Sequence, residues 1–244
     1  MTRARARLGL LVPFTNTNFE PDFALMMPAD ITLHSARMGG YDEDEIPDAD
    51  QMAGLGASDL DDPLRLLQGV KPDAILYGCT SATLTHGPAF DRDLAARIKA
   101  ASGAETITAA GAIVAALRHL NIWRIGFGSP YVAAINDLAV DFLSQSGIET
   151  VARSEVDTPL SNEAQGALTP EDVFAIGTRA DHPDAQAVLL SCTDMRGVET
   201  IARLEAHLGK PVISSNQAMA WETLRRLDIP DPIPGFGQIL EHRS

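Results

Sequence analysis

Two cysteines, Cys79 and Cys192, are the only thiols in 244 residues, and they stand in matching places. Cys79 follows Ala74-Ile75-Leu76-Tyr77-Gly78, and Cys192 follows Ala187-Val188-Leu189-Leu190-Ser191. Short, continuous apolar runs before turn residues read as strands covered on both faces. Each thiol is therefore expected at the carboxyl end of a strand, before a turn into a helix. Ligands of open parallel sheets bind beyond that end, where the N–H groups of the following turn and helix start favour negative charge. Such a place is expected to lower a thiol's pKa and favour the thiolate. Two thiols facing one cleft can share a reaction: one attacks a carbon or removes its proton while the other donates a proton. No electron sink or metal is demanded where a carboxylate makes the carbon acidic enough. Either cysteine alone reads as a small buried hydrophobe; it is the matched pair that points to chemistry.

Other polar residues fall at neighbouring strand ends. Thr80, Ser81 and Thr193 bring hydroxyls beside the two sulfurs. Asn16, in Pro13-Phe14-Thr15-Asn16, either caps a helix or donates its amide to a carboxylate. Tyr131, after Ser129-Pro130, is a phenolic donor or a half-buried aromatic, and Asn162 falls in a loop after a strand. Competing chemistries lack their signatures. None of the 6 histidines is spaced with a cysteine or an acid as a zinc site requires, so no metal is expected. No P-loop lysine motif occurs, Gly126-x-Gly128 lacks the third glycine of a dinucleotide fingerprint, and no Gly-x-Ser-x-Gly elbow is present. Trp123 and Trp221 are expected in or near the core.

The elements that must hold these residues alternate. Strands are expected at Arg7–Val12, Ile31–Ala36, Asp73–Tyr77, Glu105–Thr108, Ile122–Phe127, Glu149–Arg153, Ala185–Leu190 and Pro211–Ser214. Helices are expected near 17–27, 59–69, 88–102, 109–120, 131–146, 169–181, 195–208 and 215–227. Thr169-Pro170-Glu171-Asp172 puts a cap before a first-turn proline and two acids, and Gly147 and Gly209 sit at helix C-termini. The acid-rich Gly39–Gly56 stretch reads as a long loop or lid. Alternation of this kind gives an α/β fold with parallel sheets and right-handed crossovers.

The chain also resembles itself. Arg7-Leu8-Gly9-Leu10 leading to Pro13-Phe14 is matched by Arg124-Ile125-Gly126-Phe127 leading to Pro130-Tyr131. The two cysteine segments repeat at nearly the same offset. The expectation is two similar α/β lobes related by a pseudo-twofold axis, with one thiol from each on opposite sides of an interlobe cleft. The lobes are expected to comprise 1–115 with 217–244, and 116–216.

The balance of 19 basic against 33 acidic residues, a net charge of −14, argues against a nucleic-acid or anionic-membrane binder. A local anion site is compatible with it. The basic N-terminal tail precedes too short an apolar run for a signal peptide, and no stretch has the length of a membrane span. A cytoplasmic location is expected, where two cysteines stay free thiols. The apolar helical segments would suit a homodimer.

Taken together, these residues resemble the aspartate/glutamate racemase superfamily, most closely its maleate cis–trans isomerase and arylmalonate decarboxylase branch. The resemblance rests on Arg7-Leu8-Gly9-Leu10-Leu11-Val12-Pro13 with Asn16 and Glu20, and on Cys79-Thr80-Ser81. It continues through Ser129-Pro130-Tyr131, Asn162, Leu190-Ser191-Cys192-Thr193, Gly209-Lys210-Pro211-Val212 and Gly235-Phe236-Gly237. It implies two flavodoxin-like lobes, an interlobe active site and chemistry without a cofactor. Carried across, it makes Cys79 a nucleophile that adds to the double bond of a small carboxylate and Cys192 its acid/base partner. Asn16, Tyr131 and Asn162 would hold a dicarboxylate, while Thr80, Ser81 and Thr193 would donate hydrogen bonds. The run Cys79-Thr80-Ser81-Ala82-Thr83 is closer to the racemases and ectoine-utilisation members. The decarboxylases lack the first cysteine, so Cys79 argues against decarboxylation. Maleate-to-fumarate isomerisation leads; two-base racemisation of an amino acid or acyl-amino acid, and a non-catalytic small-acid sensor, are the alternatives.

Overall fold

A computed structural model describes residues 4–39 and 46–241. Four parallel strands, β1 (Ala6–Pro13), β2 (Ile31–Met38), β3 (Ala74–Tyr77) and β4 (Glu105–Thr108), form one sheet in the order β2-β1-β3-β4. Four more, β5 (Arg124–Gly128), β6 (Glu149–Ser154), β7 (Ala187–Leu190) and β8 (Val212–Ser214), form a second in the order β6-β5-β7-β8. The two orders are the same order twice, a flavodoxin-type arrangement. The central pair of each sheet is apolar because both faces are covered: Ala74-Ile75-Leu76-Tyr77 and Ala187-Val188-Leu189-Leu190 are buried throughout. The edge strands β2 and β6 carry the polar residues. All eight strands expected from the apolar runs are present.

Helices α1 (Phe19–Met26), α2 (Ala49–Gly56), α3 (Asp61–Gln68), α4 (Thr80–Leu84), α5 (Gly87–Ser102) and α6 (Ala109–His119) accompany the first sheet in sequence. Helices α7 (Ala133–Gln145), α8 (Asn162–Gly166), α9 (Pro170–Ala180) and α10 (Ile201–Leu208) accompany the second, and α11 (Ser215–Arg226) and α12 (Gln238–Glu241) follow. Their ends carry the expected chemistry. Thr169 and Asp172 form a reciprocal capping box at α9 with Pro170 in its first turn, and Gly209 closes α10 at φ 66°. Helix α6 follows β4 and α11 follows β8, and the two pack together. Each also touches the last strand of the other sheet, α6 on β8 and α11 on β4. Their pairing marks the place where the two halves exchange support.

Four expectations need correction. The Gly39–Gly56 stretch is not a loop throughout: α2 occupies its second half, started by a capping box between Asp48 and Gln51, while residues 40–45 lie outside the described residues. Residues 195–200 are irregular, with a turn only at 198–200, and the helix begins only at Ile201, so Cys192 is followed by a bend rather than a helix start. Asn162 opens the short helix α8, whose cap is Ser161, instead of lying in a loop. Trp221 is buried as expected, but Trp123, just before β5, is 45% exposed.

Candidate active site

The strand ends of both sheets converge on a small cavity of about 40 Å3. Asn16, Cys79, Thr80 and Ser81 line it from the first sheet's side, and Tyr131, Asn162, Cys192 and Thr193 from the second's. All eight residues singled out in the sequence are therefore brought to one place. Sequence reasoning missed Asp194, Gln165, and the apolar wall of Met52, Leu55 and Ile135. Asp194 had a signal available, an acid two residues after a thiol. Met52 had none, because its helix was read as loop.

Cys79 is the N-cap of α4, and the main-chain N–H groups of Ser81 and Ala82 point at its sulfur. The Ser81 hydroxyl lies 3.6 Å from Sγ and donates to Met52 Sδ at 2.9 Å, tying α2 to the site. Thr80 is turned elsewhere: its hydroxyl donates to Ser215 Oγ at 2.9 Å. Cys192 Sγ accepts the N–H of Asp194 at 3.3 Å and the Tyr131 phenol. Tyr131 is held from behind, since its N–H donates to Ser129 Oγ and its carbonyl accepts from Asn136 Nδ2.

Two residues beside the thiols join the halves. Thr193 Oγ1 donates to the Gly78 carbonyl at 2.9 Å and accepts from Asn16 Nδ2 at 3.1 Å. The Asn16 side-chain oxygen accepts from the N–H of Asn18, the N-cap of α1, and of Phe19, so Asn16 both holds the turn into α1 and bridges to the opposite half. The Asp194 carboxylate crosses the same gap and accepts from the N–H of Thr17 at 2.8 Å and of Asn18 at 3.0 Å.

The electrostatics overturn one expectation. Both thiols are raised, not lowered. Burial pushes Cys79 above the ordinary thiol value, and the N–H groups of Ala82 and Ser81 with the Ser81 hydroxyl only partly oppose it. Burial, with the Asp194 carboxylate second, pushes Cys192 up to about 12. Desolvation of a charge at a buried sulfur outweighs a few hydrogen bonds to it. Tyr131 is raised well above its usual value, by burial and then by the two neighbouring sulfurs, and stays a proton donor. Among the described lining residues there is no lysine, arginine or histidine.

A thiol at each of two equivalent strand ends, both opening on one cavity, is the defining feature of this α/β fold's candidate site. The chain belongs to the arylmalonate decarboxylase family, whose model matches residues 8–240. It is 28% identical over 249 residues to the maleate isomerase of Pseudomonas putida, covering 96% of each chain. A crystal structure of a Pseudomonas putida maleate isomerase superposes with a TM-score of 0.89 at 27% identity, over 98% of this chain and 99% of that one. The maleate cis–trans isomerase of Nocardia farcinica, as a cysteine-to-serine variant carrying a covalently bound succinylcysteine intermediate, superposes with a TM-score of 0.88. It is 25% identical over 98% of this chain and 99% of that one. No helix of the described residues is long and apolar enough to cross a membrane.

Proposed function

We propose that this protein is a cofactor-independent cis–trans isomerase of a small unsaturated dicarboxylate, with maleate converted to fumarate. The observation that carries the reading is the pair Cys79 and Cys192 on opposite sides of one cavity, in a chain similar along nearly its full length to maleate isomerases. The succinylcysteine held by the Nocardia farcinica relative supports a covalent route.

In the proposed reaction Cys79, as thiolate, adds through Sγ to one alkene carbon. The π electron pair moves to the adjacent carbon and its carboxylate, and the Cys192 thiol delivers its proton to that carbon. The product is a succinyl thioether on Cys79 whose central C–C bond is now single and rotates. Cys192, as thiolate, then removes a proton from the same carbon, the C–S bond breaks, and its electron pair returns to Cys79 as the trans alkene forms. The division of labour follows the surroundings. Cys79 sits at the start of α4 with the N–H groups of Ser81 and Ala82 on its sulfur, whereas the Asp194 charge weighs more heavily on Cys192, second only to burial, and keeps it protonated. Asn16, Asn162 and Tyr131 act as neutral donors to the two carboxylates, because no cation lines the described cavity. The same reading divides the chain into 1–115 with 217–244 and 116–216, one thiol from each part.

Incubation with maleate followed by proton NMR tests the proposal. Appearance of fumarate supports it, and no turnover at high enzyme concentration overturns it. Exchange of an amino acid's α-proton with deuterated water, requiring both cysteines, would instead establish two-base racemisation.

A further inference from the structure

The residues that touch Cys192 are also those that hold the two halves together, and Asp194 does both. Its N–H donates to Cys192 Sγ at 3.3 Å, while its carboxylate accepts from the N–H of Thr17 and Asn18 on the β1–α1 turn opposite. Asn18 Nδ2 adds a bond of 2.6 Å to the Asp194 carbonyl and one of 2.9 Å to the Gly166 carbonyl of α8. A carboxylate that accepts two main-chain N–H groups is a directional anchor as well as a charge. This one is 9% exposed, on the wall of the cavity.

We propose that Asp194 is a positioning residue of the two-thiol reaction: it latches the Cys192 segment onto the β1–α1 turn, fixing that thiol opposite Cys79, and its negative charge holds Cys192 in the proton-bearing form. The proposal rests on the two-thiol reading of the cavity and not on the identity of the substrate. The geometry separates the two parts of the role. The latch needs only an oxygen that accepts from Thr17 and Asn18, whereas the hold on the proton needs the charge. Because Cys192 must first give a proton and then retrieve it, a segment that shifted between these steps would lose the trans product. The ionisable neighbours are few. Cys192 lies on the same segment, with Tyr131 bonded to it, and Cys79 lies across the cavity. Asp22 faces Asp194 from α1, with Arg196 and Glu199 behind it. Glu163 of α8 lines the adjoining outer groove. Apart from Arg196, which is paired with Glu199, none of them neutralises the Asp194 carboxylate.

The test uses the alkylation of each cysteine by iodoacetamide as a function of pH, read by peptide mass spectrometry, so that no substrate is required. Asp194→Asn keeps an oxygen for Thr17 and Asn18 and removes the charge. Its Cys192 midpoint is expected to fall by about one unit, which is about tenfold faster alkylation below the midpoint. Asp194→Glu restores the charge and is expected to return the midpoint towards that of the unmodified protein. Asp194→Ala removes latch and charge together, and with maleate as substrate its kcat is expected at least about tenfold below that of Asp194→Asn. Superimposable Cys192 alkylation curves for the unmodified protein and Asp194→Asn overturn the charge role. Equal kcat for the Asn and Ala variants overturns the latch. If Asp194→Ala does not fold, the Asn and Glu curves decide the charge role, and Asn18→Ala, which removes two bonds to the Asp194 residue through its side chain, tests the latch by the same fall in kcat. A protein inactive on maleate in every form would sink the substrate assignment while leaving the alkylation result standing.

Discussion

Asp22 lies on α1, 3% exposed, with Asn216 of α11 against it. Asn216 Nδ2 donates to Asp22 Oδ2 at 2.6 Å and to the Thr193 carbonyl at 2.9 Å, while Asn216 Oδ1 has no hydrogen-bond partner among the described residues. Burial lifts the Asp22 carboxyl from 3.8 to about 7, against the Asn216 hydrogen bond, with Glu199 and Asp194 adding to the rise. A carboxyl raised on folding binds its proton more tightly in the folded chain. The folded state is therefore favoured at low pH and loses that advantage as pH rises from about 4 to about 7. About three pKa units at 1.36 kcal/mol each place a cost of about 4 kcal/mol on the folded protein at pH 8. Asp22→Asn removes the charge, keeps an oxygen for Asn216 Nδ2, and offers an amide hydrogen to the unpaired Asn216 Oδ1. At pH 8 the variant should be more stable by about 4 kcal/mol, or roughly 10 °C in Tm for a chain of this size, and the gain should shrink towards zero at pH 4. Urea unfolding at both pH values, followed by circular dichroism, measures the difference. A gain of the same size at pH 4 and pH 8, or a loss of stability at pH 8, would refute the placement of an ionised carboxylate in that pocket.

Cys79→Ser should abolish isomerisation while leaving the thermal transition in place; loss of the transition would instead make Cys79 a core residue. Cys192→Ser should accumulate an adduct of one maleate on Cys79, visible by intact-protein mass spectrometry, and an unmodified mass after prolonged incubation would count against Cys79 as the nucleophile. Because burial raises the Cys79 thiol, kcat/KM should climb by about tenfold per pH unit through the neutral range, and a flat profile between pH 6 and pH 8 would contradict a buried, protonated resting thiol. Gly126→Ala places a Cβ 1.9 Å from the Ala180 carbonyl oxygen, where α9 presses on β5, and should cost at least about 3 kcal/mol by urea unfolding.

The sheets were legible because each strand is a short apolar run between turn residues, and both cysteines announce the ends of two of them. Seven of the eight expected site residues follow from the same signal, since strand ends in parallel sheets meet at one edge, whereas Asn162, on α8 beyond the end of β6, was reached only through the family resemblance. Short helices were less visible: α4 and α8 are single turns, and α2 was hidden by Gly54, Gly56 and the acids before it, although Asp48 and Gln51 carry its start. The direction of the thiol shifts was not legible at all. Hydrogen-bond donors after a strand can be read from local sequence, but desolvation depends on how tightly the cavity closes. The bonds from Thr17 and Asn18 to Asp194 were out of reach for a related reason, because they join segments far apart in the chain that meet only when the two halves pack.

The exchange of support between α6 and α11 has a consequence for the order in which the molecule is completed. On the ribosome the four strands of the first sheet emerge early, but the helix that leans on β4 is made only after the whole second sheet. Residues Ser215–Leu224 of that helix are buried along their entire length, so until they arrive the nascent first half has an apolar flank with nothing on it. The half that is begun first is finished last, and β4 lacks one of the helices that cover it until the whole second sheet has been made.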